Sequence, residues 1–326
     1  MKAIISTKYG PPEGLEFTDV AKPLPKDDEV LIKVHAASIN AYDWHLLTAD
    51  FFLVRLMGGG FFRPKNPRPG EDVAGTIESV GKNVQQFKPG DEVFGDLCEC
   101  GSGGFAEYVC AKEGALVLKP ANINFEQAAA TPMAAVTALH GLRDSGCIQA
   151  GQKVLINGAS GGVGTFAVQI AKSFGAEVTA VCSTRNVEQA RKLGADHVID
   201  YTKEDFTRSG QTYDLIFAAN GNGPVSAYKR ALTPEGIFVV VGGSLSQIMR
   251  AMILGKFMSR KTGKKITALT SRPKQRDLAF IKGLLENRNV FPVIDRRYPL
   301  NKIGEALRYL GEGHARGKIV ITMGAA

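Results

Sequence analysis

Two hydrophobic rhythms divide this chain. Up to about residue 124 the apolar positions come in short runs, several of them alternating with polar ones, and glycine or proline ends each run. Ala3-Ile4-Ile5-Ser6, Glu29–Val34 and Gly75–Val80 have the lengths and boundaries of strands. Lys88-Pro89-Gly90-Asp91 reads as a turn into a strand beginning Glu92-Val93-Phe94, and Phe105–Cys110 alternates as a half-buried strand does. Many short strands with few long helices predict a compact, barrel-like β domain.

The rhythm changes near Asn124. Phe125–Ala130 and Ala134–Leu142 favour helix, with Asn124 a candidate N-cap and Gln127 in the capping-box position. Beyond them, apolar runs at Val154–Ile156, Val178–Cys182, His197–Asp200, Asp214–Ala218, Gly236–Val241 and Lys265–Thr270 alternate with helix-like stretches at Asn186–Leu193, Pro224–Leu232 and Ser246–Ser259. Strands this apolar suit a parallel sheet covered on both faces, so the chain predicts an α/β fold with a Rossmann-type doubly wound sheet. A helix at Arg276–Asn287, a strand at Val293–Asp295, a helix at Lys302–Leu310 and a strand at Lys318–Thr322 follow. A strand this late is expected to return to the first domain. The predicted division is residues 1–124 with 272–326, and residues 125–271.

One turn in this pattern carries chemistry. Between Val154–Ile156 and an apolar helical run lies Ala159-Ser160-Gly161-Gly162-Val163-Gly164, an A-x-G-x-x-G form of the dinucleotide fingerprint. Small residues let backbone approach a pyrophosphate, and the free N–H groups of the new helix face the phosphates. An NAD-preferring site places a carboxylate at the end of the next strand. Here that place reads Ser183-Thr184-Arg185, a hydroxyl and a guanidinium suited to an extra 2′-phosphate, so the expected cofactor is NADPH.

Composition narrows the picture. The 326 residues are too many for one ordinary core, and 44% hydrophobic with 22% charged residues is a globular balance. No apolar stretch reaches membrane-spanning length and no signal-peptide pattern opens the chain, so a cytoplasmic protein with no membrane partner is expected. Five cysteines argue against a disulfide framework. The net charge of +8 raises nucleic-acid binding as an alternative, but the basic residues at 256–265 lack interleaved aromatics or a recognition-helix pattern, so no nucleic-acid partner is expected.

With these motifs in view, the chain resembles the medium-chain dehydrogenase/reductase superfamily, in its zinc-free quinone oxidoreductase-like branch. The resemblance rests on Ser38–Trp44, Pro69–Gly75, Lys88–Val93, Gly104–Tyr108, the Gly158–Gly164 turn and Gly313–Lys318, spread along almost the full length. It implies a GroES-like β-barrel catalytic domain beside the Rossmann domain, an electrophilic small-molecule acceptor (a quinone or an α,β-unsaturated ketone or aldehyde) and a homodimer. Zinc-dependent members carry ligands at positions corresponding to Asn40, Glu71 and Met133, so no metal is expected. Without a Lewis acid, hydride donation to an electron-poor acceptor is the easier chemistry.

The resemblance also assigns roles. Asn40 is expected to donate near the acceptor carbonyl and Asp43 to hold the loop or the nicotinamide ribose; for both, local turn formation is the alternative. His45 is a candidate proton donor or cofactor contact, or a partly exposed histidine without a ligand. Tyr201 is placed near the adenine or 2′-phosphate, and Thr137, Asn220, Gly242, Gly243 and Ser244 along the nicotinamide half. Gly242 and Gly243 also fit strand-end backbone approaching a ligand. Lys318 either reaches toward the cofactor or is an exposed strand lysine, and the apolar run Phe51–Phe62 is a candidate lid. A nucleotide-binding regulator with little turnover is the competing reading.

Overall fold

The computed structural model describes residues 1–49, 60–221, 223–243, 263–269 and 272–324. It forms two compact units, one of Met1–Met133 with Pro273–Ala326 and one of Ala134–Arg272.

The first unit opens with β1 (Lys2–Ile5), β2 (Glu16–Asp19), β3 (Glu29–Ile39), α1 (Ala41–Thr48), β4 (Asp72–Val80), β5 (Glu92–Asp96), β6 (Tyr108–Lys112), β7 (Leu116–Leu118) and α2 (Phe125–Ala129). Asn124 caps α2 as expected. Its side chain accepts from the Gln127 N–H at 2.8 Å, and Gln127 accepts from the Asn124 N–H at 3.0 Å. Although the change of rhythm at Asn124 marks the expected boundary, α2 belongs to the first unit. Phe125 packs on His35 of β3, with ring centroids 4.3 Å apart. Helix α3 (Pro132–Leu139) then runs through the sequence junction and continues as a π-helical turn, His140–Ser145.

The second unit contains β8 (Lys153–Asn157), α4 (Gly162–Ser173), β9 (Glu177–Cys182), α5 (Val187–Lys192), β10 (His197–Asp200), β11 (Tyr213–Ala218), α6 (Val225–Arg230), β12 (Leu232–Val240) and β13 (Lys265–Ala268). Its strands are parallel and ordered β10-β9-β8-β11-β12-β13, so the direction of winding reverses between β8 and β11. That reversal is the switch point at which doubly wound sheets take ligands. Leu155, Ile156, Val178, Ala180, Leu215, Ile216 and Phe217 are sealed, as strands covered on both faces require. The expected helix at 246–259 and the candidate lid at 51–59 lie outside the described residues, as does Ser244.

The chain then returns to the first unit through α7 (Gln275–Glu286), β14 (Ile294–Pro299), α8 (Ile303–Gly311) and β15 (Lys318–Thr322). Strand β3 organises this unit's sheet. One of its edges pairs antiparallel with β4; the other is shared by β6, along Glu29–Lys33, and β15, along Ala36–Ile39. Side chains of Val30, Ile32, Ile39, Ile77, Val93, Phe105, Ile319 and Ile321 fill the core beneath it. Small residues at Ala36, Ala37 and Ser38, all fully buried, let β4 and β15 close on the strand's second half.

Candidate functional site

In the second unit, the chain leaves β8 through Gly158, whose φ of +85° favours glycine, and enters α4 at Gly161. Three of the turn's four glycines do distinct work. A Cβ on Gly164 would overlap the Gly158 carbonyl oxygen, so this glycine lets the helix pack against the strand end. At Gly158 the close neighbours are the backbone nitrogen and Cβ of Asn220, both 3.0 Å from the Cβ position. Gly161 faces open space, with nothing nearer than the Gly158 oxygen at 3.8 Å. No side chain caps the 12-residue helix α4, and the first N–H groups of a helix have no intrahelical acceptor. Ala159 is fully buried and Ser160, Gly162 and Val163 are half-buried around the turn. The turn therefore offers open, donor-rich backbone of the kind that holds a pyrophosphate, and the residues present fit a dinucleotide.

Ser183, Arg185 and Tyr201 stand at the carboxyl ends of the neighbouring strands β9 and β10, with Tyr201 62% exposed and Arg185 exposed. A residue that sequence reasoning passed over ties Ser183 to the fingerprint. Asn186, nearly buried, donates from Nδ2 to Ser160 Oγ at 3.0 Å and to Ser183 Oγ at 3.1 Å. The nearby carboxylate, Asp200, is committed elsewhere. It accepts from Thr184 at 2.6 Å and Thr202 at 2.7 Å, bonds that hold its pKa down at about 2.

Gly242 and Gly243 have a packing cause as well as the expected approach to a ligand. Their Cβ positions would overlap the carbonyl oxygens of Ala219 and Gly221, and Gly243 takes a φ of +117°. The strand ends of β11 and β12 crowd each other there, so packing alone demands both glycines. Asn220 is exposed beside Gly158, and Thr137 is half-buried in α3. Lys264, one of the basic residues near 256–265, donates to the carbonyls of Lys229 and Leu232 at 2.9 and 2.8 Å.

The first unit holds a buried polar cluster at the start of α1 and β4. Asp72, fully buried, accepts at Oδ2 from Ser38 Oγ and Asn40 Nδ2, each at 3.0 Å, and at Oδ1 from the Met133 N–H at 2.9 Å. Lys318 of β15 donates to Asn40 Oδ1 and lies 3.4 Å from Asp72 Oδ2. It is 2% exposed, which overturns the exposed-lysine reading; burial pushes its pKa down while Asp72 pulls it up. Asn40 thus has a carboxylate on its nitrogen and an ammonium on its oxygen. Asp43 accepts from the Asn40 N–H at 2.7 Å, the loop-holding role, and is 3% exposed. Burial and nearby Asp72 raise its carboxyl to about 7.

Beside this cluster lies a cavity of about 600 Å³ within the first unit, lined by Tyr9, Tyr42, Asp43, Leu46, Glu71 and Cys98 among others. His45, half-buried on α1, is not among its lining residues. Burial, reinforced by Asp43, raises Glu71 to about 8, and burial with Asp72 raises Asp96 to about 7.

Comparison with known proteins agrees with this architecture. The alcohol dehydrogenase GroES-like domain family matches residues 26–121, and the family described as zinc-binding dehydrogenase matches residues 193–321. A chloroplast envelope quinone oxidoreductase homolog of Arabidopsis thaliana is 35% identical, over 98% of both chains. An NADPH-dependent alkenal/one oxidoreductase of the same plant is 33% identical, covering 98% of this chain and 79% of its own. The solved quinone oxidoreductase of Coxiella burnetii superposes with a TM-score of 0.88 at 29% identity over 99% of each chain. The chain belongs to the medium-chain dehydrogenase/reductase superfamily, in its quinone oxidoreductase-like branch.

As a member of that superfamily it is an oxidoreductase that takes a nicotinamide cofactor. The zinc-ligand positions carry other chemistry here. Asn40 and the Met133 N–H are spent on Asp72, and the Lys318 ammonium already stands against Asn40 and Asp72. An amide and a thioether, beside a resident cation, do not fit a zinc ion at those positions. Among the described residues, the one group whose donor atoms come together as metal ligands do is Glu71, Asp96 and Cys98. All five cysteines are free thiols, and no described helix is long and apolar enough to cross a membrane.

Proposed function

We propose that this oxidoreductase uses NADPH to reduce quinones or α,β-unsaturated ketones and aldehydes, with no metal in the hydride transfer. The observation that carries the reading is the open, uncapped turn at Gly161, joined through Asn186 to a strand end that offers Ser183 and Arg185 in place of a carboxylate. The fingerprint N–H groups take the pyrophosphate, and Arg185 with Ser183 takes the 2′-phosphate. The bound cofactor supplies a hydride, and a proton completes reduction of the acceptor. A conjugated acceptor spreads the developing negative charge over its own framework, so Lewis-acid activation is not needed. The relatives named for quinones and alkenals support this acceptor class.

The test is NADPH and NADH oxidation against a panel of quinones, enones and enals, alongside saturated ketones. Turnover with the conjugated acceptors and a preference for NADPH of at least about 10-fold in kcat/KM is expected, equivalent to one charge-assisted contact. NADPH binding without turnover of any conjugated acceptor would instead mark a nucleotide-binding regulator. A homodimer is part of the same reading, since β13 ends the sheet's strand order; light scattering reads the mass.

A further inference from the structure

We propose that Glu71, Asp96 and Cys98 form a binding site for one divalent cation of borderline softness, with Zn²⁺ the matching probe. One donor atom from each residue lies within 4.8 Å of the other two, so a small side-chain adjustment brings them to the spacing of ligands held about 2.0–2.3 Å from a shared ion. Two carboxylates and a thiol favour zinc-like ions over magnesium or calcium, which take all-oxygen sites.

A second observation shows that the cluster lacks a partner. Glu71 is 1% exposed; its Oε1 accepts from Ser102 Oγ at 2.7 Å, but its Oε2 is buried with no hydrogen-bond partner. A buried carboxylate oxygen left so is costly, and a cation is the partner that removes the cost. The surrounding charge points the same way. Asp43, Asp72 and Asp96 lie near Glu71, and Lys318, whose ammonium acts on Asp43 and Asp96, is committed to Asn40 and Asp72. Glu71 and Cys98 both line the 600 Å³ cavity, which gives an ion its way in, and the Tyr42 hydroxyl lies beside the Cys98 thiol. Asp96 already fixes the local backbone by accepting from the Cys98 N–H at 2.9 Å. The site shares only Glu71 with the superfamily's zinc-ligand positions. It ties the residue before β4 to the end of β5 and the segment that follows, as a structural cross-link separate from hydride transfer.

The test titrates Zn²⁺ into the chelator-stripped, phosphine-reduced full chain against a chromophoric competing chelator, with Co²⁺ as a spectroscopic probe. One equivalent is expected to bind and raise the melting temperature, and Co²⁺ is expected to show a thiolate charge-transfer band. E71Q and C98S should each weaken binding by more than about 100-fold, beyond the range typical of supporting partners. C98S should abolish the Co²⁺ band, while C110S and C147S retain it. Failure to compete with the chelator, or a band that survives in C98S, overturns the site. Should E71Q fail to fold, the cysteine series on the Co²⁺ band decides alone.

Discussion

Lys318 and Asp72 stand 246 residues apart in sequence, yet their side chains meet at 3.4 Å with both groups sealed from water. Removing one member of a buried pair leaves the other uncompensated. K318M is therefore expected to cost about 3–5 kcal/mol of stability, read from urea midpoints. D72N added to K318M should recover a large part of that loss. A double variant no more stable than K318M would remove the pair as the cause.

The glycines of the fingerprint separate packing from ligand binding. G164A forces a methyl group into the Gly158 carbonyl and should destabilise by about 1–3 kcal/mol, as overpacking does. G161A has room and an ordinary φ of −79°, so its melting temperature should stay near wild type. Its NADPH affinity should nonetheless fall by about 10-fold or more, because the methyl occupies the space that a phosphate would take. Equal NADPH affinity in G161A and wild type would remove the turn as the phosphate cradle.

Arg185 is expected to read the 2′-phosphate. R185A should lower kcat/KM for NADPH by about 10–100-fold, the worth of a hydrogen bond to a charged group, while leaving NADH use unchanged. Parallel losses for both cofactors would show that Arg185 shapes the loop instead.

N186A removes the donor shared by Ser160 and Ser183. An increase of about 3–10-fold in the KM for NADPH with kcat preserved is expected, the scale of a neutral hydrogen bond. A change confined to kcat would place Asn186 outside cofactor binding.

Asp43 supplies a pH dependence. Its carboxyl titrates near 7 in the folded chain, above the usual value of about 3.9. A group raised in this way stabilises fully below its unfolded pKa, and the contribution is lost as pH rises through its folded pKa. D43N keeps an acceptor for the Asn40 N–H without the charge. In chelator-treated protein its melting temperature relative to wild type should therefore climb between about pH 4 and pH 7, the window those two pKa values bracket, and level off above it. A constant difference across that range would count against a raised Asp43.

Much of the architecture was legible because period and punctuation carry it. The capping box at Asn124 and Gln127 and the span of β15 matched the pattern residue for residue. β2 escaped because its residues are mostly exposed and leave no apolar rhythm, and three-residue β7 is too short to show one. The strand read from Phe105 begins at Tyr108, since Phe105 and Ala106 instead meet β1 through the Ile4 N–H and an isolated bridge. The nucleotide turn was readable since its residues are contiguous. The cluster around Asp72 was not, because it draws on Ser38, Asn40, Met133 and Lys318, which only the fold assembles. Gly242 and Gly243 show the limit of reading a glycine: neighbouring strand ends demand it as firmly as a ligand does.

The placement of β15 has a consequence for synthesis. The Ala134–Arg272 unit is one continuous stretch and can fold as soon as it clears the ribosome, whereas the other unit waits for the stretch from Pro273 onward, translated after it. Until then, Ala36–Ile39 presents an uncovered strand edge and Asp72 lacks its ammonium. The nascent chain therefore passes through a stage in which a ready-made pairing surface stands open, and Lys318–Thr322 both closes that surface and brings an ammonium to the carboxylate beneath it.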